Sequence, residues 1–221
     1  MSRWEIRIAT LIGAIVVGLT PPATTAAEQP GLAIATLETL LVKGRAPKTG
    51  YSRDQFGQAW ADVNRNGCDT RNDILKRDLT AIVYKGGTRN CVVLSGTLVD
   101  RYSGETINFI RGNVTSMEVQ IDHVVALSNA WQTGAFKLTA DQRKALANDP
   151  MNLFAVKGRL NSQKGDGDAA TWLPPLKSFR CAYVAQQIAV KAKYSLWVVP
   201  PEKAAILSIL AKCPTQKLPV N

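Results

Sequence analysis

Histidine is almost absent from this chain, because His123 is the only one in 221 residues. A zinc hydrolase needs several histidine or cysteine ligands, so a single histidine argues against that class. The four cysteines form no C-x-x-C motif, which argues against a zinc knuckle or a dithiol redox site. Ser128 lacks the G-x-S-x-G context of a serine hydrolase. The chain therefore lacks the side chains on which several common hydrolase classes depend.

Long apolar segments, internal repeats and low-complexity tracts are also missing from most of the chain. The one extended apolar run, residues 8–19, follows a short basic start and is too short to cross a bilayer comfortably. Small residues come next, so residues 1–27 are predicted to be a secretory signal peptide, with an uncleaved anchor as the weaker alternative. Residues 28–221 are then one secreted, extracellular domain with no stable membrane insertion after cleavage.

Basic residues dominate the charge. Lysine and arginine number 27 against 17 acidic residues, which gives a net charge of +10 at pH 7. Removal of the signal peptide takes away Arg3, Arg7 and Glu5 and leaves a charge of +9. An exported protein this basic is expected to bind a polyanion, such as nucleic acid, teichoic acid or a membrane surface. Composition does not choose between these partners, and charge also serves solubility.

The cysteines are expected to pair, since an exported protein enters an oxidising space. Apolar residues at helical spacing place Cys181 and Cys213 on the buried faces of two successive helices. Those helices can pack face to face, which predicts a Cys181–Cys213 disulfide. Cys68 is then left to pair with Cys91.

The patterns along the chain predict an α+β fold, with helices around a small antiparallel sheet. Helices are predicted at residues 31–43, from 52 onwards, around 74–79, around 131, at 139–148, at 178–193 and at 201–213. Strands are predicted at residues 91–100, 105–112, 117–122 and 152–156. Ser52 and Gln55 form a capping-box pattern that predicts the start of the second helix. That helix would turn Phe56, Trp60 and Val63 inward.

The single histidine belongs to an ordered set of polar residues. Asp122 and His123 end one predicted strand, and Asn152 opens another 29 positions after the histidine. Asn161 lies nine positions further on, at the start of a helical segment. Either asparagine alone would be a turn former or a helix cap. Their order and spacing instead predict a compact ββα unit whose polar side chains converge on one cleft.

These residues resemble the HNH endonuclease superfamily, the ββα-metal nucleases. The stretches that carry the resemblance are NGCDTRNDIL, VQIDHVVALSNAW, ANDPMNLFAV and NSQKGDGDAATWLPP. The chain is similar to the small secreted branch that is related to the C-terminal nuclease domain of GmrSD restriction enzymes. The resemblance implies a ββα-metal core at residues 117–166. Asn161 stands where the founding pattern has a histidine, and an amide oxygen suits a hard ion such as Mg²⁺.

The resemblance and the chemistry of phosphodiester hydrolysis together give these residues roles. His123 is expected to be the general base that activates water, and Asn152 to orient the loop that carries it. Asp122 and Asn161 are expected to hold one divalent metal ion. Mg²⁺ is the first expectation, and Mn²⁺ or another divalent ion is the alternative.

Substrate binding is expected to rest on phosphate contacts. Lys164 and Arg159 flank Asn161 and are candidates for this role, although surface solvation is their simpler interpretation. DNA is the expected partner, with RNA as the other candidate. No helix-turn-helix or zinc finger is visible, so cleavage with little sequence specificity is expected. No protein partner is implied.

Two alternative functions stay open. A non-catalytic secreted binder of anionic polymers, either nucleic acid or a cell-wall polyanion, is supported equally by the net charge. A glycosidase with two carboxylates is not excluded by the sequence, although nothing singles out a pair.

Residues 62–73 also match part of an EF-hand calcium loop. The residues at loop positions 1, 3, 5, 6 and 12 are Asp62, Asn64, Asn66, Gly67 and Asp73. Two arginines within the loop and an aspartate at its last position count against calcium. The preferred interpretation is a helix junction rich in asparagine and aspartate, held by the disulfide at Cys68.

Overall fold

The computed structural model describes Met1 and residues 31–113 and 115–220. The predicted signal peptide, residues 1–27, lies outside the described residues apart from Met1. Within the described ranges, no helix is long and apolar enough to span a bilayer. The helices there are α1 (Ala33–Thr39), α2 (Thr70–Asp78), α3 (Leu127–Gln132), α4 (Ala140–Ala147), α5 (Gly158–Lys164), α6 (Arg180–Lys193) and α7 (Pro200–Leu210). The strands are β1 (Leu79–Tyr84), β2 (Val93–Val99), β3 (Thr106–Ile110), β4 (Val119–His123) and β5 (Leu153–Lys157).

The strands form two antiparallel sheets rather than the single small sheet that the sequence predicted. β1, β2 and β3 lie side by side in that order, and β4 pairs with β5. In the smaller sheet Val119 lies opposite Lys157, and His123 lies opposite Leu153. The α+β class is confirmed, with helices packed around both sheets.

β1 is a strand that the sequence patterns did not predict. The second apolar pattern indicated a helix through Leu79, but α2 ends at Asp78 and Leu79 begins β1. α2 begins where the Asp69 side chain accepts a hydrogen bond from the Asn72 backbone, at 2.7 Å. Several of the residues that follow α2 are β-branched or aromatic, which favours a strand. Leu79 then pairs opposite Leu98 of β2.

The helix predicted from Ser52 is a single 3₁₀ turn, Arg53–Phe56. The Ser52 side chain makes no capping hydrogen bond, so the predicted capping box does not form. Gly57 follows with a φ of 72°, a left-handed conformation that ends the turn. Phe56 is buried as predicted, whereas Val63 is exposed.

The β4–β5 pair is packed on both of its faces. One face contacts a cluster shared with α1, α6 and α7, to which Phe154 and Val156 belong. The other face contacts a cluster shared with α2 and the larger sheet, to which Leu153 and Ala155 belong. Burial of each large apolar side chain contributes about 1.5–3 kcal/mol. The two strands are therefore held from both sides, which fixes the ends from which the polar residues project.

Both predicted disulfides are present, as Cys68–Cys91 and Cys181–Cys213. The second joins the first turn of α6 to the segment after α7. Cys213 lies beyond the last residue of α7, Leu210, and not on the helix as predicted. On the loop-entropy estimate each bridge stabilises the fold by about 3–4 kcal/mol.

Candidate active site

The β4–β5–α5 unit brings the predicted residues to one end of the small sheet. β4 ends with Asp122 and His123, and Asn152 directly precedes β5. α5 begins immediately after β5, at Gly158. A Cβ atom on Gly158 would lie 1.9 Å from the carbonyl oxygen of Met117, so only glycine fits without moving the chain. This close approach packs α5 against β4.

His123 is buried, with 8% of its surface exposed. Its Nε2 atom lies 2.9 Å from the carbonyl oxygen of Ala147. A carbonyl only accepts hydrogen bonds, so Nε2 carries the proton and Nδ1 keeps its lone pair. Burial lowers the pKa of His123 to about 4; the hydrogen bond to Ala147 opposes the shift, and the charges of Arg53 and Lys164 add to it. The ring is therefore neutral at neutral pH and can accept a proton at Nδ1.

Asn152 holds the loop that follows His123. Its Oδ1 accepts a hydrogen bond from the Val125 backbone at 2.8 Å, and its Nδ2 donates to the carbonyl oxygens of Val125 and Leu146. Leu146 precedes Ala147 in α4, so one amide links the histidine loop to the residue next to the one whose carbonyl contacts the imidazole. Asn152 is fully buried. The structure therefore contains the predicted contact between Asn152 and the histidine loop. Asn152 lies behind the cleft, where its side chain can hold that loop in position.

Asp122 is buried and hydrogen-bonded through both carboxylate oxygens. Oδ2 accepts from the Tyr102 hydroxyl at 2.6 Å, and Oδ1 accepts from Lys164 Nζ at 2.9 Å. Burial and the nearby Asp122 charge raise the pKa of Tyr102 well above its usual range, so its hydroxyl stays protonated. Lys164 Nζ also donates to the His123 carbonyl oxygen at 2.9 Å.

The position of Lys164 contradicts the expectation that it binds phosphate from the protein surface. Its side chain is 0% exposed, and its ammonium group is held by Asp122 and the His123 carbonyl. α5 lies close enough to β4 for the lysine side chain to point inward. Its ammonium group therefore pairs with buried groups and not with solvent. Arg159 is exposed on the same helix and lies outside the two pockets that adjoin His123. The structure therefore places the ammonium group of Lys164 in hydrogen bonds with groups behind the cleft surface, and it places Arg159 outside both pockets.

Asn161 does reach the cleft. Its Nδ2 donates to Gln120 Oε1 at 2.8 Å, which leaves the amide oxygen as the atom available to a cation. Asn161, Asp122 and His123 line the same pocket, of about 290 Å³, here called the polar pocket. Its other lining residues are Arg53, Trp60, Arg71, Gln120, Ile121, Ala126, Leu127 and Gly165.

A second pocket of about 410 Å³, here called the apolar pocket, adjoins the first. The two share Arg53, Trp60, His123 and Leu127. The residues that line the apolar pocket alone are Asp54, Phe56, Gly57, Gln58, Ala59, Ala147 and Asn148. His123 thus stands between two pockets of different character.

Three cleft residues escaped the sequence interpretation: Arg53, Trp60 and Arg71. All three come from the segment before β1, far in sequence from the ββα unit. Burial lowers the pKa of Arg71, the charge of Arg111 adds to the shift, and Asp69 opposes it. A guanidinium group keeps its charge in a protein. The polar pocket therefore presents two fixed cations, which suits an anionic ligand.

The polar pocket has a donor set that fits a hydrated hard cation. Asp122 supplies a carboxylate and Asn161 an amide oxygen, and Mg²⁺ commonly keeps several waters and uses one or two carboxylates. Across the described ranges, no three histidine, cysteine or carboxylate side chains are grouped to hold a metal. That observation argues against a site built entirely from such ligands. The ammonium of Lys164 offsets part of the Asp122 charge, so tight binding of a bare cation is not expected.

Polar side chains of the calcium-like loop, residues 62–73, are hydrogen-bonded to other groups of the same loop. The Asp62 carboxylate accepts from the backbone of Asn66 at 3.1 Å and of Gly67 at 2.9 Å. The Asn66 side chain donates to Asp73 at 3.0 Å. These contacts support the interpretation as a helix junction. Calcium binding at residues 62–73 stays the less favoured of the two interpretations.

The α+β fold thus combines a ββα unit, a neutral buried histidine and two arginines at one cleft. Residues 69–209 match the family described as GmrSD restriction endonucleases, C-terminal domain, and the chain belongs to that family. It is also 38% identical over 208 residues to an "Uncharacterized secreted protein" of Arthroderma benhamiae, which covers 92% of this chain and 97% of that protein. No solved structure matches the chain significantly.

Proposed function

We propose that this protein is a secreted, metal-dependent endonuclease that hydrolyses phosphodiester bonds in DNA or RNA with little sequence specificity. The observation that carries the proposal is the neutral His123, which lines one pocket together with Asp122 and Asn161. Membership of a nuclease family supports the reaction class. The N-terminal signal pattern and the relative that is named as secreted support export.

His123 is the proposed general base. Its Nδ1 takes a proton from water as the water attacks phosphorus, and this step needs the neutral ring. Asn152 and the Ala147 carbonyl do not touch the substrate. They fix the position of the ring and the tautomer that leaves Nδ1 available.

Asp122 and Asn161 are the proposed ligands of one divalent cation, Mg²⁺ first and Mn²⁺ as the alternative. A cation bound there supplies positive charge to the scissile phosphate and to the leaving oxygen. Tyr102 and Lys164 hold the Asp122 carboxylate in place through hydrogen bonds of 2.6 and 2.9 Å. Lys164 is therefore a positioning residue in this proposal and not a phosphate ligand.

Arg53 and Arg71 take over the phosphate-binding role. Both line the polar pocket, and a guanidinium group binds phosphate through paired N–H donors. Phosphate contacts carry no base information, which agrees with low sequence specificity. Affinity for DNA should therefore fall steeply as salt rises.

The decisive experiment uses the single histidine. His123→Ala should keep the fold and the affinity for DNA, and should lose about 10²–10⁴-fold in cleavage rate, the usual worth of a general base. Cleavage of plasmid DNA by the purified mature protein is measured in Mg²⁺, with EDTA as the metal-free control. The wild-type rate should rise with pH through the pKa of His123 and then level off. A comparable rate and acid limb in His123→Ala would refute the assignment.

The arginines are tested against a matched control on the protein surface. Arg53→Ala and Arg71→Ala should each weaken DNA binding and reduce the salt slope by about one. Arg159→Ala removes the same side chain from an exposed position outside both pockets, and it should bind like wild type. A loss confined to Arg159→Ala would instead restore the role expected from the sequence.

The non-catalytic binder is the second candidate, and the net charge of +10 favours it as much as it favours a nuclease. The two functions separate on one measurement. A non-catalytic binder shifts the mobility of DNA in a gel-shift assay but does not cleave DNA in Mg²⁺ or Mn²⁺. Metal-dependent cleavage that is lost in His123→Ala excludes the binder.

A further inference from the structure

The apolar pocket beside His123 has no part in the hydrolysis described above. Phe56, Leu127 and Trp60 give it apolar walls, and its volume of about 410 Å³ falls in the range of small-molecule sites. It shares His123 and Arg53 with the polar pocket. If a phosphate is bound between Arg53 and Arg71, the nucleoside attached to it can therefore reach the apolar pocket.

Trp60 is held in an unusual conformation at the boundary of the two pockets. Its φ is 56°, in the left-handed region that bulky residues rarely adopt. The Thr70 backbone donates to the Trp60 carbonyl at 3.3 Å, which helps hold the conformation. The indole lies nearly parallel to the His123 ring, at 19° and a centroid distance of 6.0 Å. Strained residues of this kind persist where the surroundings over-determine them, often at ligand sites.

Asn148 lines the same pocket and carries a buried polar atom without a partner in the described part of the chain. The side chain is 99% buried, since only 1% of the residue is exposed. Its Nδ2 donates to the carbonyl oxygens of Lys144 at 2.9 Å and Gln58 at 3.4 Å, which fixes the orientation of the amide. Its Oδ1 has no hydrogen-bond donor among the described residues. Buried acceptors are normally paired, so this atom calls for a ligand or water with an N–H or O–H group.

We propose that the apolar pocket binds the unpaired base of a nucleotide next to the scissile phosphate. This inference rests on the proposed nuclease function and specifies its substrate as single-stranded nucleic acid. Trp60 offers an aromatic face for stacking, and every base has a π-face, so the pocket tolerates any sequence. Asn148 Oδ1 accepts from an N–H on the edge of the base. A base in a duplex must first leave its stack, which disfavours double-stranded substrates.

A binding experiment tests the pocket without any turnover. Calorimetric titration in EDTA compares deoxyadenosine 5′-monophosphate with 2-deoxyribose 5-phosphate, which lacks the base. Wild type should bind the nucleotide about 10-fold tighter or more, from stacking of one base. Trp60→Leu should lose most of that difference. Phe136→Leu, an exposed aromatic residue outside both pockets, should keep it. Equal affinities of wild type for the two ligands would overturn the proposal, even if Trp60→Leu fails to fold.

A cleavage experiment separates this proposal from the nuclease proposal. Wild type in Mg²⁺ is given a single-stranded oligonucleotide, its duplex, and a strand with abasic residues on both sides of one phosphodiester. The single strand should be cut about 10-fold faster or more than the duplex. The abasic linkage should also be cut about 10-fold more slowly than the same linkage in the intact single strand. Equal rates on all three would overturn the base pocket while the nuclease function stands. With no cleavage at all the nuclease proposal fails, and the titration still decides whether a base binds.

Discussion

Two lysine–carboxylate pairs are buried in the part of the chain that the structure describes, and they differ in what surrounds them. Lys164 and Asp122 lie 2.9 Å apart at the cleft, and Lys191 and Glu202 lie 2.8 Å apart between α6 and α7. All four side chains are at most 4% exposed. Asp122 lines the polar pocket, whereas the Glu202 carboxylate accepts from the Val199 backbone at the start of α7.

The difference teaches that burial of an ion pair does not by itself indicate function. A buried pair loses solvation, and replacing it by apolar residues is often neutral or stabilising. Burial lowers the pKa of Lys191, and the charge of Glu202 and its hydrogen bond to Lys191 oppose this shift. The pair at the cleft is buried to a similar extent, but its carboxylate lines a pocket. Four expected outcomes test this comparison between the cleft and the rest of the molecule.

The largest expected effect is on stability. Lys191→Met leaves Glu202 buried without its partner and should cost about 3–5 kcal/mol. Lys164→Met should cost less, because Asp122 keeps the Tyr102 hydrogen bond and faces a pocket that admits water or a cation. Urea denaturation with Mg²⁺ or EDTA measures both, and Mg²⁺ should raise the midpoint of Lys164→Met more than that of Lys191→Met, because the cation replaces the charge lost beside Asp122.

The double variants serve as the control for this comparison. Lys191→Met with Glu202→Leu should recover most of the lost stability, since no unpaired charge remains. A cost in Lys164→Met equal to that in Lys191→Met, with no response to Mg²⁺, would mean that the two pairs are equivalent.

The second effect is on cleavage. Asp122→Asn should lower the rate per folded molecule by about 10²–10³-fold, the usual worth of one electrostatic group at a transition state. Glu202→Gln makes the same change in the other pair and should cleave at the wild-type rate. Rates are measured in Mg²⁺ at equal concentrations of folded protein. Equal losses in both variants would remove the functional distinction.

The third effect is a loss of folding stability at acidic pH. A histidine can cause it only at the cleft, because His123 is the single histidine of the chain. The pKa of His123 is about 4 in the folded protein and about 6.5 in an unfolded chain. The unfolded chain therefore binds the proton more readily. The resulting stability is fully present above about pH 6.5 and is lost as pH falls towards about 4, by about 3 kcal/mol in total.

Unfolding by urea across this pH range, in EDTA, measures that loss. His123→Ala should lack it, while the carboxylates contribute equally to both proteins. The same decline in stability for His123→Ala as for wild type would show that the histidine is not responsible.

The smallest effect belongs to an exposed pair that serves as a reference for the buried ones. Lys203 and Glu38 lie 2.7 Å apart, and Glu38 is more than half exposed. Lys203→Met should cost less than about 1 kcal/mol, because solvent and salt screen such pairs. Measuring its midpoint at low and high salt gives the baseline. A loss as large as that of Lys191→Met would remove burial as the reason for the difference between pairs.

Much of the arrangement of residues around His123 could be predicted from the sequence, because it is local. The order of Asp122, His123, Asn152 and Asn161 indicated two strands and a helix, and the structure has them. Both disulfides followed from helix periodicity and elimination. These features depend on spacing along the chain, which the sequence records directly.

What could not be predicted depends on distances across the fold. Nothing near Arg53 or Trp60 indicates that the segment before β1 closes over His123. The inward direction of Lys164 follows from the approach of α5 to β4 at Gly158, where a Cβ atom would lie 1.9 Å from a carbonyl oxygen. β1 was not predicted from the sequence because its apolar residues extend the apolar pattern of the preceding helix. Tertiary packing decided each of these cases.

The cleft is assembled from two parts of the chain that the family match divides. The match begins at residue 69, so the proposed base and cation ligands lie inside it, whereas Arg53 and Trp60 lie before it. Selection can therefore alter one wall of the cleft while leaving the proposed base and cation ligands unchanged. Relatives that carry a different leading segment should inherit the reaction and differ in the nucleic acid that they admit.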